Sequence, residues 1–114
     1  MSNMYTKNYN GADLGDDFKR FYNKVKRVIV AELRDANCTN LQMSRQFYYF
    51  TGFFTAADGQ VYYFSCSDVR WFVFTHLMVR AAKHYGDYEG SINHYVRLHS
   101  LAQWTLARAS QVEA

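Results

Sequence analysis

Two runs dense in aromatic residues, Gln46 to Thr55 and Gln60 to Ser67, flank the stretch Ala56-Ala57-Asp58-Gly59. Tyr, Phe, Val and Thr fit a pleated surface. Asp58-Gly59 supplies the positive-φ position that a hairpin loop needs. The predicted β-hairpin has a demanding pattern of sides. Phe47, Tyr49, Thr51 and Phe53 face one way, and Tyr48, Phe50 and Phe54 face the other. Neither side is polar. A helix can cover one of them, so the other must be covered by more of this chain, covered by a partner, or left wet. The demand is general to the chain, which is 18% aromatic with 10 Tyr and 9 Phe among 114 residues.

That length suits a single domain, 1–114, and leaves no room for two cores. Hydrophobic residues at 49% and charged residues at 20% exclude a disordered chain, and two cysteines exclude a disulfide scaffold. Residues 1–12 read as a flexible arm ending at Gly11. The stretch Met1 to Asn10 is polar, unlike a signal or transit peptide, and the longest apolar run, Trp71 to Phe74, is far too short to span a bilayer. The expectation is a non-membrane protein of the cytoplasm, with Cys38 and Cys66 reduced.

The clearest element is a helix from Asp13 to Ala36. Leu14, Phe18, Phe21, Tyr22, Val25, Val28, Ile29 and Leu33 recur at three- and four-residue steps as one apolar stripe. Asp13, Asp16 and Asp17 suit the positive pole of its dipole, and Asn37 can supply a left-handed stop. Thr39 to Ser44 reads as a polar link into the hairpin. Residues 68–85 fit a helix through Phe74, Leu77, Met78 and Ala81, or a strand in which Thr75, Leu77, Val79 and Ala81 alternate with His76, Met78 and Arg80. Tyr85 to Ser91 is a loop by its two glycines and its acids. A last helix is expected from Ser91 or Asn93 to about Ala109, with Tyr95, Leu98, Ala102, Leu106 and Ala109 as its apolar stripe. The fold class is α+β: a small antiparallel sheet, hairpin plus a third strand, packed on two helices in the order α-β-β-(β)-α.

No catalytic, cofactor or metal motif is legible. His76, His84, His94 and His99 show no metal-ligand spacing, and there is no Cys-x-x-Cys, nucleophile elbow or phosphate-cradling glycine loop. Asp87 and Glu89 read as solvated loop acids. Three surfaces remain as binding candidates. The first helix carries Lys19, Arg20, Lys24, Lys26 and Arg27 off its apolar stripe, a basic face able to track phosphates or meet an acidic protein, within a net charge of +3. On the last helix Arg97, Leu101, Trp104 and Arg108 form one line opposite the apolar stripe, the residue types of a partner or homodimer contact. On the hairpin Tyr48, Phe50, Tyr62 and Phe64 form a set that, if exposed, would stack unpaired bases.

The segments Gly59-Gln60-Val61-Tyr62-Tyr63-Phe64-Ser65, Ser67-Asp68-Val69-Arg70 and Val79-Arg80-Ala81-Ala82-Lys83-His84, followed by Asp87-Tyr88-x-Gly90-x-x-Asn93, resemble small proteins carried by bacteriophages, plasmids and integrated elements. The likeness covers about the middle half of the chain. It implies that the arginine-bearing segment 75–82 is a strand, and Ser91 departs from a pattern that commonly has a second glycine there. It also implies a setting: a non-enzymatic protein in the host cytoplasm that covers a working surface of a host protein or ribonucleoprotein complex. Inhibitors of CRISPR–Cas effectors are the most specific version. The alternative is a nucleic-acid-binding protein using the basic face and the hairpin aromatics.

Overall fold

A computed structural model describes residues 12–46, 49–66, 76–89 and 92–113. The elements run α1 (Ala12–Asp35), β1 (Thr39–Gln46), β2 (Tyr49–Thr55), β3 (Val61–Cys66), β4 (His76–Ala82), β5 (His94–Arg97), a 3-10 turn (Leu98–Ser100) and α2 (Leu101–Glu113). The strands form one antiparallel sheet in chain order. The class is α+β. The sheet is larger than the sequence reading implied, with five strands rather than three.

Tyr22, Val25, Ile29 and Leu33 are buried along α1, with Phe21 and Val28 packed at the margin. The helix ends where Asn37 takes φ 60°. The Cys38 amide then donates to the Leu33 carbonyl at 2.9 Å and the Asn37 amide to that of Arg34 at 3.0 Å, which satisfies two carbonyls of the last turn. The hairpin between β2 and β3 turns through Ala57-Asp58-Gly59 with Gly59 at φ 93°, and the Asp58 carboxylate accepts the Gln60 amide at 3.0 Å. Segment 76–82 is the strand β4, one of the two alternatives left open for residues 68–85.

Two expectations fail, each for a reason of pairing. Thr39 to Ser44 belongs to strand β1, not to a link. Its polar residues are tolerated because β1 is an edge: Leu41 and Met43 pack on the core, while Gln42 and Ser44 stay exposed. A bulge between Thr39 and Gln42, with Asn40 at φ 56°, starts the strand. Residues 94–97 are likewise strand β5, not the start of the last helix, because they pair with β4 from His76↔Arg97 to Val79↔His94. That pairing fixes the alternation of Tyr95 and Val96. The helix proper begins at Leu101, and the Glu32 carboxylate of α1 accepts the Ala102 amide at 2.8 Å, capping the positive end of α2.

α1, the 3-10 turn and α2 pack on one side of the sheet, here called the inner face. Phe50, Phe54, Tyr62, Phe64, Cys66, Leu77, Val79 and Val96 line it, all buried. Gly52 sits opposite Phe64 in register, and a Cβ there would run into the Phe64 ring and the Gln42 carbonyl. Rings meet edge-on around it, Tyr22–Phe50 and Phe50–Phe64 both at 6.0 Å between centroids.

Candidate functional site

The α2 line is not a contact patch. Leu101 is 0% exposed, and Thr105 is buried beside it with its hydroxyl donating to the Leu101 carbonyl at 2.8 Å. Trp104 packs against the core, edge-on to Tyr62 at 5.5 Å and tilted on His94 at 5.4 Å. The Arg108 guanidinium lies 5.5 Å from the Trp104 ring centre. Burial pushes the Tyr62 phenol up, and the hydrogen bond and charge of Arg108 work against that rise. Arg97 is exposed but belongs to β5, away from the helix line. The helix is rotated relative to the expected stripe, since Leu101 and Thr105 are buried while Leu106 is 46% exposed; Tyr95, the first residue of that stripe, lies on β5. With β5 and the 3-10 turn anchoring the chain before it, α2 presents Leu101, Trp104, Thr105 and Arg108 to the sheet.

The hairpin set fails for a related reason. Phe50, Tyr62 and Phe64 point to the inner face and are buried under the helices, so they cannot stack on bases. Tyr48 lies outside the described residues, as do Phe47, Trp71 to Phe74, Gly90, Ser91 and the arm 1–11, and the side chains of Leu14, Phe18 and Ala109 are likewise not described.

The opposite, outer face answers the question of the second aromatic side. Phe53 and Tyr63 pair there in register and pack at 5.2 Å with Ala82, Val61 and Met78 around them. The loop after β4 folds over them. Tyr85 stacks on Phe53 at 5.5 Å, and Tyr88 meets Phe53 and Tyr63 edge-on at 5.6 and 5.5 Å. Polar contacts hold the loop down. The Tyr85 hydroxyl donates to the Asn40 carbonyl at 2.6 Å and meets the Thr55 hydroxyl at 2.8 Å. Arg80 lies 4.8 Å over the Tyr63 ring and donates to the Tyr88 carbonyl and, at 3.4 Å, to Asn93 Oδ1. Gly86 takes φ 94° in the turn that joins the Asp87 amide to the His84 carbonyl. The residues of the resemblance motif therefore build a clasp on the outer face.

Asp87 belongs to the clasp too. Its carboxylate accepts the Lys83 amide at 2.9 Å and the Glu89 amide at 3.1 Å, and these bonds, that of Lys83 foremost, hold its pKa below the usual carboxylate value. A carboxylate so held keeps its charge, the opposite of what a proton donor needs. An open depression of about 750 Å³ lies between this loop and the hairpin turn, with Lys83, Asp87 and Glu89 at its rim. Among the described residues no group of three His, Cys, Asp or Glu side chains is placed to hold a metal ion. No helix among them is long and apolar enough to cross a membrane.

Two surfaces are left open. On the solvent side of α1, Lys19, Arg20, Lys24, Lys26 and Arg27 are all exposed. A shallow depression of about 420 Å³ runs along the same side between Asn23 and Arg34, floored by Val30 and Ala31. On the outer sheet face Tyr49, whose side chain hydrogen-bonds to that of Tyr63 at the edge of the clasp, and Tyr95 are exposed together with His76 and Arg97. Sequence reasoning passed over this second surface. The signal was the alternation of Tyr49, Thr51 and Thr55, whose hydroxyls mark the wetter side of β2. No protein-family model, no curated protein sequence and no solved structure matches this chain.

Proposed function

We propose that the protein is a binding protein without chemistry of its own, and that the solvent side of α1 is its working surface. One observation carries the reading. Five cations are exposed between Lys19 and Arg27 with no acid among them, and the next acid along the helix, Glu32, is turned to the end of α2. Of the other two surfaces expected to meet a partner, Leu101, Phe50, Tyr62 and Phe64 are buried in the core and Trp104 packs beside them. Arg20, Lys24 and Arg27 lie in a line about 10 Å long at the helical rise, a spacing suited to a row of phosphates.

The likeness to phage- and plasmid-borne proteins supports a setting for that contact. A small domain that lays a basic helix along the nucleic-acid path of a host defence complex inhibits it by occlusion, and anti-CRISPR action is the most specific form of this reading. Direct binding to free nucleic acid is the alternative that uses the same face.

The test begins with the full chain and mixed-sequence duplex DNA. Affinity should fall steeply between 50 and 200 mM salt, and the double variant Lys24→Glu/Arg27→Glu should weaken binding and flatten the log–log salt slope by about 2. Absence of any mobility shift at low salt overturns the direct-binding alternative. In host extract, a ribonucleoprotein complex that co-purifies with the protein after nuclease treatment, and is lost in the double variant, supports occlusion. Co-purification abolished by nuclease supports the alternative.

A further inference from the structure

We propose a second site, independent of α1: the open part of the outer sheet face is a platform for single-stranded nucleic acid. Tyr49 and Tyr95 stack on bases there, and Arg97, with His76 beside it, faces the phosphates. The register brings these residues together. Thr51, Ser65, Met78 and Tyr95 form one row across β2 to β5, and His76 pairs with Arg97 in the next row. Tyr49 stands one same-face position from Thr51, at the far side of the sheet from Tyr95. The two positions are separated by three strand spacings and one same-face step, about 16 Å. Among the described residues, the positions between them hold Thr51, Ser65 and Met78, a row of low relief that an extended chain can cross.

Exposure and charge select the occupant. Tyr49 is 43% and Tyr95 69% exposed, and the clasp adds Tyr88 at 61% on the same face. The described strands contain no Asp or Glu, and on this face they carry Arg80, Arg97 and His76. The loop acids Asp87 and Glu89 lie at the other end of the face, beside Val61 and Ala82, so the end that holds Tyr49, Tyr95 and Arg97 is complementary to a polyanion whose bases are free to unstack. A duplex keeps its bases stacked on each other and gains nothing from the rings. An acidic protein would be drawn to the cations but would leave the tyrosines without flat partners.

The experiment uses the full chain with labelled dT12 and, in parallel, a duplex of the same length at 50 mM salt. Tyr95→Ala and Tyr49→Ala should each weaken dT12 binding about 5- to 100-fold and leave duplex affinity unchanged. Tyr95→Phe, which keeps the ring, should retain affinity for dT12. Arg97→Gln should lower affinity and reduce the salt slope by about 1. Melting temperatures should not move in the Tyr95 and Arg97 variants, whose side chains are exposed, and should fall only slightly in Tyr49→Ala, which loses a hydrogen bond to Tyr63. The proposal is overturned if dT12 does not bind the unaltered protein, or if the Tyr49→Ala/Tyr95→Ala double variant binds it as well as the parent. It is also overturned if Lys24→Glu/Arg27→Glu alone abolishes dT12 binding, which would place the strand on α1.

Discussion

On the inner face of the sheet Phe50, Phe54, Tyr62 and Phe64 lie beneath two helices, whereas on the outer face Phe53 and Tyr63 lie beneath a loop. Both faces are aromatic, yet they end in different states. The helices bring continuous apolar stripes, so the inner face is closed from β1 to β5. The loop brings two tyrosines, held down by Arg80 of β4, so the outer face is closed only as far as those side chains reach. How much of an aromatic face is hidden therefore depends on what crosses it. The remaining rings, Tyr49 and Tyr95, carry hydroxyls and stand in water at a lower cost than Phe would.

The largest expected effect tests the depth of that difference. Phe64→Ala should cost about 3–5 kcal/mol in denaturant unfolding, since the ring is fully buried between Phe50, Phe54 and Gly52 and nothing nearby can collapse onto the gap. Phe53→Ala on the outer face should cost about 2–3 kcal/mol, because Tyr85 and Tyr88 belong to a loop that can settle inward. Equal losses would mean that the clasp is as rigid as the helices. The same logic fixes the rotation of α2. Leu101→Ala should cost about 2–5 kcal/mol and Leu106→Ala less than about 0.5. The reverse order would restore the stripe expected from sequence and free Trp104 for a partner.

How much was legible can be seen in two residues, Asn37 and Leu101. Asn37 was readable as the stop of α1 because a left-handed residue after a long stripe is a local event. Leu101 was misread because the alternatives, two apolar lines on one helix, differ only in which one meets the sheet. That choice is made by β5, whose pairing with β4 spans residues 76–97 and leaves no local mark. The polar strand β1 escaped for the same reason, its identity coming from its ladder with β2. The α+β class, the hairpin and the basic side of α1 needed only local pattern and were readable. The clasp needed Arg80, Tyr88 and Asn93 to be known as neighbours, so its motif was visible while its purpose was not.

A smaller effect tests what holds the clasp. Tyr85→Phe keeps the ring on Phe53 and removes the hydroxyl that joins Asn40 and Thr55. The cost should be about 0.5–1.5 kcal/mol, because water can reach the exposed Asn40 once the phenol is gone. Amide exchange reads the outcome better than a melt does. Protection should fall at Asp87, whose amide bonds to His84 within the loop, and stay unchanged at Val79 in β4. Loss of protection along β4 as well would show that loop and sheet open together, and the contrast between the faces would weaken.

The smallest effect asks whether the inner face stays dry at its rim. Cys38 follows α1, packs at the margin of the core and directs its Sγ toward the Ala36 carbonyl at 3.9 Å. Burial, followed by the negative charge of Asp58, pushes its thiol up to about 11. A folded value above the unfolded one means that the folded chain holds the proton more tightly. The resulting stabilisation is complete below the ordinary thiol range near pH 9 and is lost as pH rises toward 11. Reactivity reports the same fact more sensitively than stability, because only the thiolate attacks. At pH 8.5 alkylation of Cys38 in the folded protein should run on the order of 100-fold slower than in the urea-unfolded chain. A folded rate near that of the unfolded chain would mean that water enters at the end of α1. The inner face would then be sealed by its centre alone, a condition closer to that of the outer face beneath its clasp.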